Sequence, residues 1–587
     1  MVVKSVAGAF GRRGNQRIRL SRLAIRSVSA ILLASLVVLL VPIAAARTAY
    51  AEASPAPVPP ILEGEASGGA INASSEPAEK PVARLGFVGD ILLNGTIGDL
   101  IEAEGPLAPW EGVRELLSSA DITCGNLECA VGTTGTPIPG KTWTFRAEPA
   151  TLQGLADSGL DVVSLANNHT LDFGEECLLE TVDLVRAAGL GTIGAGADEA
   201  AAREPFIREV NGVKVGILAT AVTVPTPDWA AKPDKPGIAV DYPGWFPGIV
   251  ASIQDLSQRV DVVVVYVHWG DERTPAPVQW IERVHTAMRD AGAHAIIGSH
   301  PHVLHGVRYD GSTVTAYSLG NFVFSTNPEY PDCQIGAILN LTVSKGKIEA
   351  VELVPTKIVW GKTYPMEGEE REGILAKMSS LSRPMGSDVD MDGSVVPLIY
   401  TDMHNHWARF TVGKLSSRGS IKGYEDQTFR PDNRITKGEF AAMFVRAVAT
   451  ETEVEAAVAA DASASEGCKV CFPEHWSYPY LRYLAGVGAI PSGDAQWEPN
   501  IPCSRRDAIS AMWALTVRPA KSETPEGAGD PGAAGAPAGA TDPEAAVVWA
   551  TQNGILRGYP DGSLRLDEVI SRAEMAVIVS RYLDLPR

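Results

Sequence analysis

The chain is poor in cysteine, with seven in 587 residues. That excludes a disulfide-built scaffold, and the odd number leaves at least one thiol unpaired. It also lacks a concentrated basic domain: 50 Lys and Arg stand against 70 Asp and Glu, a net charge of −20. Such a balance argues against nucleic acid as a partner. Residues 1–51 lack any acid, yet hold Lys4, Arg12, Arg13, Arg17, Arg19, Arg22, Arg26 and Arg47. An apolar run follows from Ala30 to Ala46, then the small-x-small pattern Ala49-Tyr50-Ala51. Basic, apolar, small is the order of a secretory signal. The run, 17 residues long, is at the lower edge of a spanning helix, so an uncleaved membrane anchor is the alternative. Either way, the chain beyond residue 52 is expected outside the cytoplasm. Removing those eight cations takes the charge from −20 to −28.

Hydrophobic residues make up 45%, enough for substantial cores, and the length suggests three or four domains at roughly 150 residues each. The segment 52–82 is rich in Ala, Pro, Ser, Glu and Gly and reads as a linker. Residues 83–360 alternate apolar runs with helical segments, an α/β pattern. Residues 361–395 are polar and less regular, and read as a second linker. Residues 449–467 and 518–542 also have linker composition. The C-terminal third repeats a helix, a Gly-rich turn, a short extended piece and a second helix. The repeats are bounded at 396–459, 460–524 (degenerate) and 530–587.

Five polar groups fall in the α/β region, most of them at the end of an apolar strand. They are Gly89-Asp90, Asn126-Leu127-Glu128, Asn167-Asn168-His169, His268-Trp269-Gly270 and Ser299-His300-Pro301-His302. Side chains at the carboxyl ends of strands project into one crevice. Carboxylates, an amide oxygen and imidazoles suit divalent Zn, Mn or Fe. Each group alone is common; five in series predict a shared metal site.

The runs VGDILLNG, ADITCGNLECAV, FRAEP, GLDVVSLANNHTLDFGE, VVVVYVHWGDE, AIIGSHPHV and YSLGNFVF resemble the CapA family of capsule (poly-γ-glutamate) biosynthesis proteins. That family is related to calcineurin-like metallophosphoesterases. The resemblance implies a four-layer α/β/β/α sandwich. It also implies that Asp90 ligates a first metal and that Glu128 bridges two. Asn168, His268 and His300 would complete the second metal, and His302 would return to the first. His169 would be the general acid, with water activated between the ions as nucleophile. Asn126, Arg146, Asp172, Glu272 and Asn321 are expected as supporting or substrate residues. Arg146 reads equally well as a surface salt bridge. The chain departs from the phosphoesterase Asp-x-His: Asp90-Ile91-Leu92 lacks the histidine. One ion or two, hydrolysis or polymer binding without it, therefore stay open, and the chain is a candidate metal-dependent hydrolase. Polymer synthesis needs ATP in the cytoplasm, whereas this domain is expected outside it, so it is not expected to be the ligase. It would act in capsule biosynthesis, export or attachment, with the capsule polymer or its synthesis machinery as partner.

The C-terminal repeats resemble S-layer homology (SLH) modules. The first carries His406-Trp407, Gly423-Tyr424-Glu425-Asp426 and Ile435-Thr436-Lys437-Gly438-Glu439. The third carries Gly558-Tyr559-Pro560-Asp561-Gly562 and Ile570-Ser571-Arg572-Ala573-Glu574. The second keeps His475-Trp476 and Ser504-Arg505-Arg506-Asp507 but lacks the Gly-Tyr-x-Asp-Gly turn. Ser/Thr-x-x-Glu/Asp is also a helix capping box, so part of this signature is structural. The resemblance implies a pseudo-trimer holding anionic secondary cell-wall polymer, through Lys437, Arg505 and Arg572. Trp407 and Trp476 read first as core and second as ligand platforms. The expected location is the cell wall or S-layer at the cell surface. Cys468-x-x-Cys471 is a lone pair, better read as a disulfide than as zinc in an exported chain.

Overall fold

The apolar runs of the α/β region become strands buried on both faces. Val262–His268 and Ile122–Leu127 are buried at every position, so layers must cover both sides of each sheet. The computed structural model describes residues 81–325, 327–462, 472–491, 497–517, 542–559 and 561–585. The signal segment, all but the last two residues of the 52–82 linker, and Cys468 and Cys471 lie outside the described residues.

Two sheets stack. The first runs Lys362–Pro365, Lys347–Val359, Ile335–Ser344, Ala83–Ile91, Ile122–Leu127, Val162–Ser164, Gly191–Ile193, and Asn321–Val323 also pairs with Ala83–Ile91. The second runs Val307–Tyr309, Val314–Ala316, Ala295–Ser299, Val262–His268, Val213–Ala221, Phe206–Val210. Leu85, Phe87, Ile122, Val262, Val264 and Ile297 belong to one core that includes residues of both sheets. Tyr266 donates its phenol to Val88 O, from one sheet to the other. On the outer side of the second sheet, helices Pro247–Ser257 and Gln279–Asp290 bury Ile253, Leu256, Ile281 and Val284 against Val263 and Val265. Helix Gly174–Ala187 buries Leu178, Val182 and Val185 in the core of the first. The expected α/β/β/α order is thus built. Its central strands are parallel, so their carboxyl ends gather at one edge of each sheet.

Residues 361–395 are not a linker. Lys362–Pro365 is the edge strand of the first sheet, Gly368–Ser382 is a helix, and Ser387–Val389 pairs with Val395–Pro397. Polarity misled because an edge strand and a helix burying Leu375, Met378 and Ser382 need few apolar residues. Glu451–Ala462, inside a stretch of linker composition, is likewise a helix. The fully buried Asp388 closes the junction with the repeats. It accepts from Ser379 Oγ (2.5 Å), Arg383 Nε (3.0 Å) and Arg409 Nε of the first repeat (2.9 Å). Burial alone would raise its carboxyl, but those donors outweigh it and hold it below the usual range.

The repeats close on themselves in a threefold ring. Ile435 N–H donates to Ile570 O (3.0 Å), Ile570 N–H to Cys503 O (2.9 Å), and Cys503 N–H to Ile435 O (2.9 Å). The next residue of each is a helix N-cap with a capping box: Thr436/Glu439, Ser504/Asp507 and Ser571/Glu574. The residue after that is the basic one, and each pairs with the capping acid of another repeat. Lys437 meets Asp507 (3.1 Å), Arg505 meets Glu574 (3.4 Å) and Arg572 meets Glu439 (3.6 Å). Cys503 is a buried free thiol at one corner of this ring. No helix among the described residues is long and apolar enough to cross a membrane.

Candidate metal centre

Five strand ends deliver the polar cluster. Asp90 is the penultimate residue of its strand and His268 the last of its own. Glu128 follows Ile122–Leu127, and His300 and His302 follow Ala295–Ser299. Asn167 to His169 turn back three residues after Val162–Ser164. His300 and His302 adopt left-handed φ values of 95° and 59°, uncommon for residues with a Cβ. Such strain is tolerated where surrounding structure enforces it, commonly at functional sites.

Two donor groups result, and they share one residue. Glu128, His268 and His300 can bring ligand atoms within 4.8 Å of one another, as can Asp90, Glu128 and His302. Asn168 Oδ1 lies 3.0 Å from His268 Nε2, beside the first group. Asn126 Nδ2 braces the cluster, donating to Asp90 Oδ1 (2.9 Å) and Glu128 Oε2 (3.3 Å). Asn126 Oδ1 in turn accepts from Asn167 Nδ2 (3.0 Å). Asn321 Oδ1 sits 2.9 Å from His302 Nδ1. Ser299 Oγ lies 3.2 Å from His268 Nδ1, the kind of outer contact that orients a ligating imidazole.

The electrostatics follow from burying two carboxylates together. Burial, then the neighbouring Asp90, pushes Glu128 well above the usual carboxylate range. Asp90 is opposed by burial too, but hydrogen bonds and charge from His302 and Asn126 hold it low. Burial disfavours the charged form of His302, yet Glu128 and Asp90 outweigh it and push the imidazole up to about 10. Burial and neighbouring imidazoles hold His268 well below its ordinary value and His300 at about 3. Two buried acids thus require compensating positive charge, and neutral imidazoles beside them are ready donors. Glu128 Oε1 and His300 Nδ1 are buried without a hydrogen-bond partner. Orphaned atoms of this kind, in a set of oxygens and imidazole nitrogens, fit a divalent cation.

His169 lies beside the cluster. Its Nδ1 is 2.7 Å from Asp172 Oδ2, and its ring packs on Phe145 at 4.4 Å between centroids. Asp172 is fully buried and also accepts from Phe145 N–H (2.7 Å). Sequence reasoning missed the third partner. Lys141 is ion-paired to Asp172, donates to Asn168 O, and lies 3.1 Å from His169 Nδ1. Its ammonium also sits 5.0 Å from the Trp229 ring centroid. In sequence it stands out only as the lysine of Gly135-Thr136-Pro137-Ile138-Pro139-Gly140-Lys141-Thr142, a Gly-x-x-x-x-Gly-Lys-Thr string that no helix follows in the fold, five residues before Arg146. Lys141→Met should lower stability by about 3–5 kcal/mol, because the buried Asp172 loses its cation. Urea unfolding of the full chain measures this.

Two expected residues stand apart from the cluster. Arg146 lies 4.2 Å over the Phe173 ring and donates to Thr134 O (2.9 Å), so its guanidinium is occupied elsewhere. Glu272 is exposed and pairs with Arg273 at 3.5 Å. Its charge contributes to raising Glu128, but nothing ties it to the ligands. Leu92, where the phosphoesterase pattern has histidine, is core. Cys124 and Cys129 are both free and buried, not bridged. His285 is buried against Thr315 Oγ1 (3.0 Å), away from the cluster.

In the repeats, the three basic residues are 4–6% exposed and act between modules. Arg505 lies 5.0 Å from the Tyr559 ring centroid, and Arg572 4.9 Å from that of Tyr424. Lys437 takes Trp497 instead, at 4.8 Å, where the second repeat lacks the turn tyrosine. Trp407 and Trp476 are 60% and 56% exposed, which reverses the expectation of core. His406 and His475 pack against them at 5.4 and 5.6 Å. A cavity of about 180 Å³ is lined by Trp407, Arg505, Arg557, Tyr559, Glu574 and Arg581, among others.

Known proteins match these regions separately. Residues 84–326 match the model for bacterial capsule synthesis protein PGA_cap, and residues 399–441 and 539–576 match the S-layer homology domain. "PGA biosynthesis protein CapA" of Bacillus subtilis (strain 168) is 31% identical over 240 residues, 40% of this chain and 62% of that protein. "Capsule biosynthesis protein CapA" of Bacillus anthracis is 28% identical over 284 residues, 48% of this chain and 68% of that one. The chain thus spans about three-fifths of the first relative's length. Among solved structures, Haemophilus influenzae NAD nucleotidase (NadN) superposes with a TM-score of 0.28 at 12% identity, covering 51% of this chain and 63% of that one. That overlap is too loose to bear on the fold, which rests on the sheet topology. The chain thus carries, at residues 84–326, a domain that matches the PGA_cap model, on one chain with matches to the S-layer homology domain.

Proposed function

We propose that this protein acts at the cell surface in making, exporting or attaching a capsule polymer of the poly-γ-glutamate type. The observation that carries the reading is the pair of donor groups sharing Glu128 within the capsule-synthesis domain. Asp90, Glu128 and His302 would hold one ion, and Glu128, Asn168, His268 and His300 the other. The oxygen and imidazole donors suit Mn, Fe or Zn. A bound divalent cation would polarise a phosphoryl or carboxyl oxygen of the substrate. Asn126 and Asn321 fix the ligand orientations. Asp172 fixes the tautomer and direction of His169, leaving Nε2 to handle a proton at a leaving group.

The His169–Asp172 pair favours a second reading, an exported metallohydrolase acting on a wall phosphate ester. Metal analysis of the full chain, with a phosphodiester assay, separates the two. As a hydrolase, the protein should turn over bis(4-nitrophenyl) phosphate, and His169→Ala should cut kcat about 10²–10⁴-fold. Metal bound without turnover would leave the capsule reading, with the cleft holding polymer.

The repeats would anchor the domain to anionic secondary cell-wall polymer, placing the protein in the cell wall or S-layer. Because Val395–Pro397 pairs within the first domain, the clean cut lies after Pro397. Deleting 398–587 should move most of the protein from sedimented wall fragments to the soluble fraction. Retention on the wall would defeat the anchoring reading, or point to an uncleaved signal segment. The latter case is recognised by its release with detergent.

A further inference from the structure

The geometry points to Arg273 as the residue that recognises substrate charge in this cleft, its guanidinium meeting a carboxylate or phosphate oxyanion apart from the group at the metal ligands. This rests on the metal-cleft reading. Arg273 adopts a left-handed φ of 58° in the loop after His268. Its N–H donates to Pro301 O (2.8 Å), the residue between His300 and His302. The next residue is also fastened, with Thr274 O lying 2.8 Å from Nε2 of the buried His305. His305, outside the ligand set, thereby gains a purpose: it anchors this loop.

The side chain is fastened as well. The guanidinium lies 4.7 Å from the centroid of Tyr330, which is 43% exposed. Tyr330 precedes the turn Pro331–Gln334, whose Cys333 O accepts from Asn321 Nδ2 (2.9 Å). Asn321 in turn touches His302. Backbone and side chain of Arg273 are therefore tied to the same histidine turn by separate routes. The ring beneath the guanidinium carbon restrains the side chain without using its N–H donors. That fork matches a carboxylate or phosphate, two N–H groups to two oxygens. Its partner within the chain is the adjacent Glu272, at 3.5 Å, with both side chains nearly half exposed. An exposed pair of this kind is weak and easily displaced. In so acidic a chain, an anionic substrate needs such a local cation.

The test uses the full chain loaded with Mn²⁺, whose metal content is measured first. Probes are γ-linked hexaglutamate, its fully amidated counterpart, and tripolyphosphate, with binding read by calorimetry at two salt concentrations. Arg273→Gln should weaken an anionic probe by about 10- to 100-fold, the usual range for a charge-assisted pair. It should leave metal content and the amidated probe unchanged. Arg273→Lys should recover part of the loss, and Tyr330→Leu should reproduce part of it with the arginine still present. Loss confined to hexaglutamate identifies a carboxylate, and loss confined to tripolyphosphate a phosphate. Equal binding by the wild type and Arg273→Gln, or no binding of either anion by the metal-loaded wild type, overturns the assignment. Failure to load metal is read independently and counts against the metal cleft instead.

Discussion

Glu128→Gln should abolish binding of both ions at once, while single histidine changes should each remove one. Glu128 belongs to both donor groups, whereas His302 belongs to one and His268 to the other. Titration of the wild type should give a two-site isotherm, with one site left in His302→Ala and a different one in His268→Ala. In Glu128→Gln both affinities should fall by more than the ~10–100-fold typical of losing an outer-shell partner. Glutamine keeps the shape, and its amide oxygen can still accept from Asn126. Burial already disfavours the charged form of Glu128, so a neutral isostere should fold normally. The two sites should also differ in strength. Leu92 offers no donor where the phosphoesterase pattern has histidine, so the Asp90–Glu128–His302 group should be the weaker. Retention of both ions by Glu128→Gln would refute the shared-ligand arrangement.

The strand ends were legible because parallel strands buried on both faces write themselves as unbroken apolar runs, and the polar residue ending each run marks its carboxyl end. Asp90, Glu128, His268, His300 and His302 were all found this way, and the fold places them together. Lys141 was not legible, because it lies in a segment with no period and joins Asp172 from 31 residues away. Arg146 shows the converse. Its charge and position suggested an anion site, but the Phe173 ring beside it could not be read from spacing. The misread segment 361–395 follows the same logic. A half-exposed edge needs few apolar residues, and what positions it is a tight hairpin through Trp360-Gly361 onto Lys347–Val359, a local turn whose strand is too short and polar to show as an apolar run. In the repeats, the capping-box signature located every basic residue but not its direction. The helix start is a local property, whereas the acid it meets belongs to another module.

That last point sets the second large effect. Arg505→Ala should destabilise the repeat region by about 3–5 kcal/mol, since it strips a buried cation from Glu574 and leaves Tyr559 Oη and Arg557 O short of a donor. Trp407→Ala should leave the melting temperature nearly unchanged, because Trp407 is 60% exposed. Both line the same cavity. If that cavity holds wall polymer, both variants should lose retention on purified wall fragments, but for different reasons. Retention lost in Arg505→Ala alone would mean only that the ring had opened. Retention lost in Trp407→Ala at an unchanged melting temperature would place the polymer in the cavity. The basic residue of the repeat signature therefore serves closure of the ring first, and any contact with polymer is superimposed on that duty. The degenerate second repeat fits this order: it has lost its turn tyrosine, yet it keeps Ser504, Arg505 and Asp507, which the ring requires.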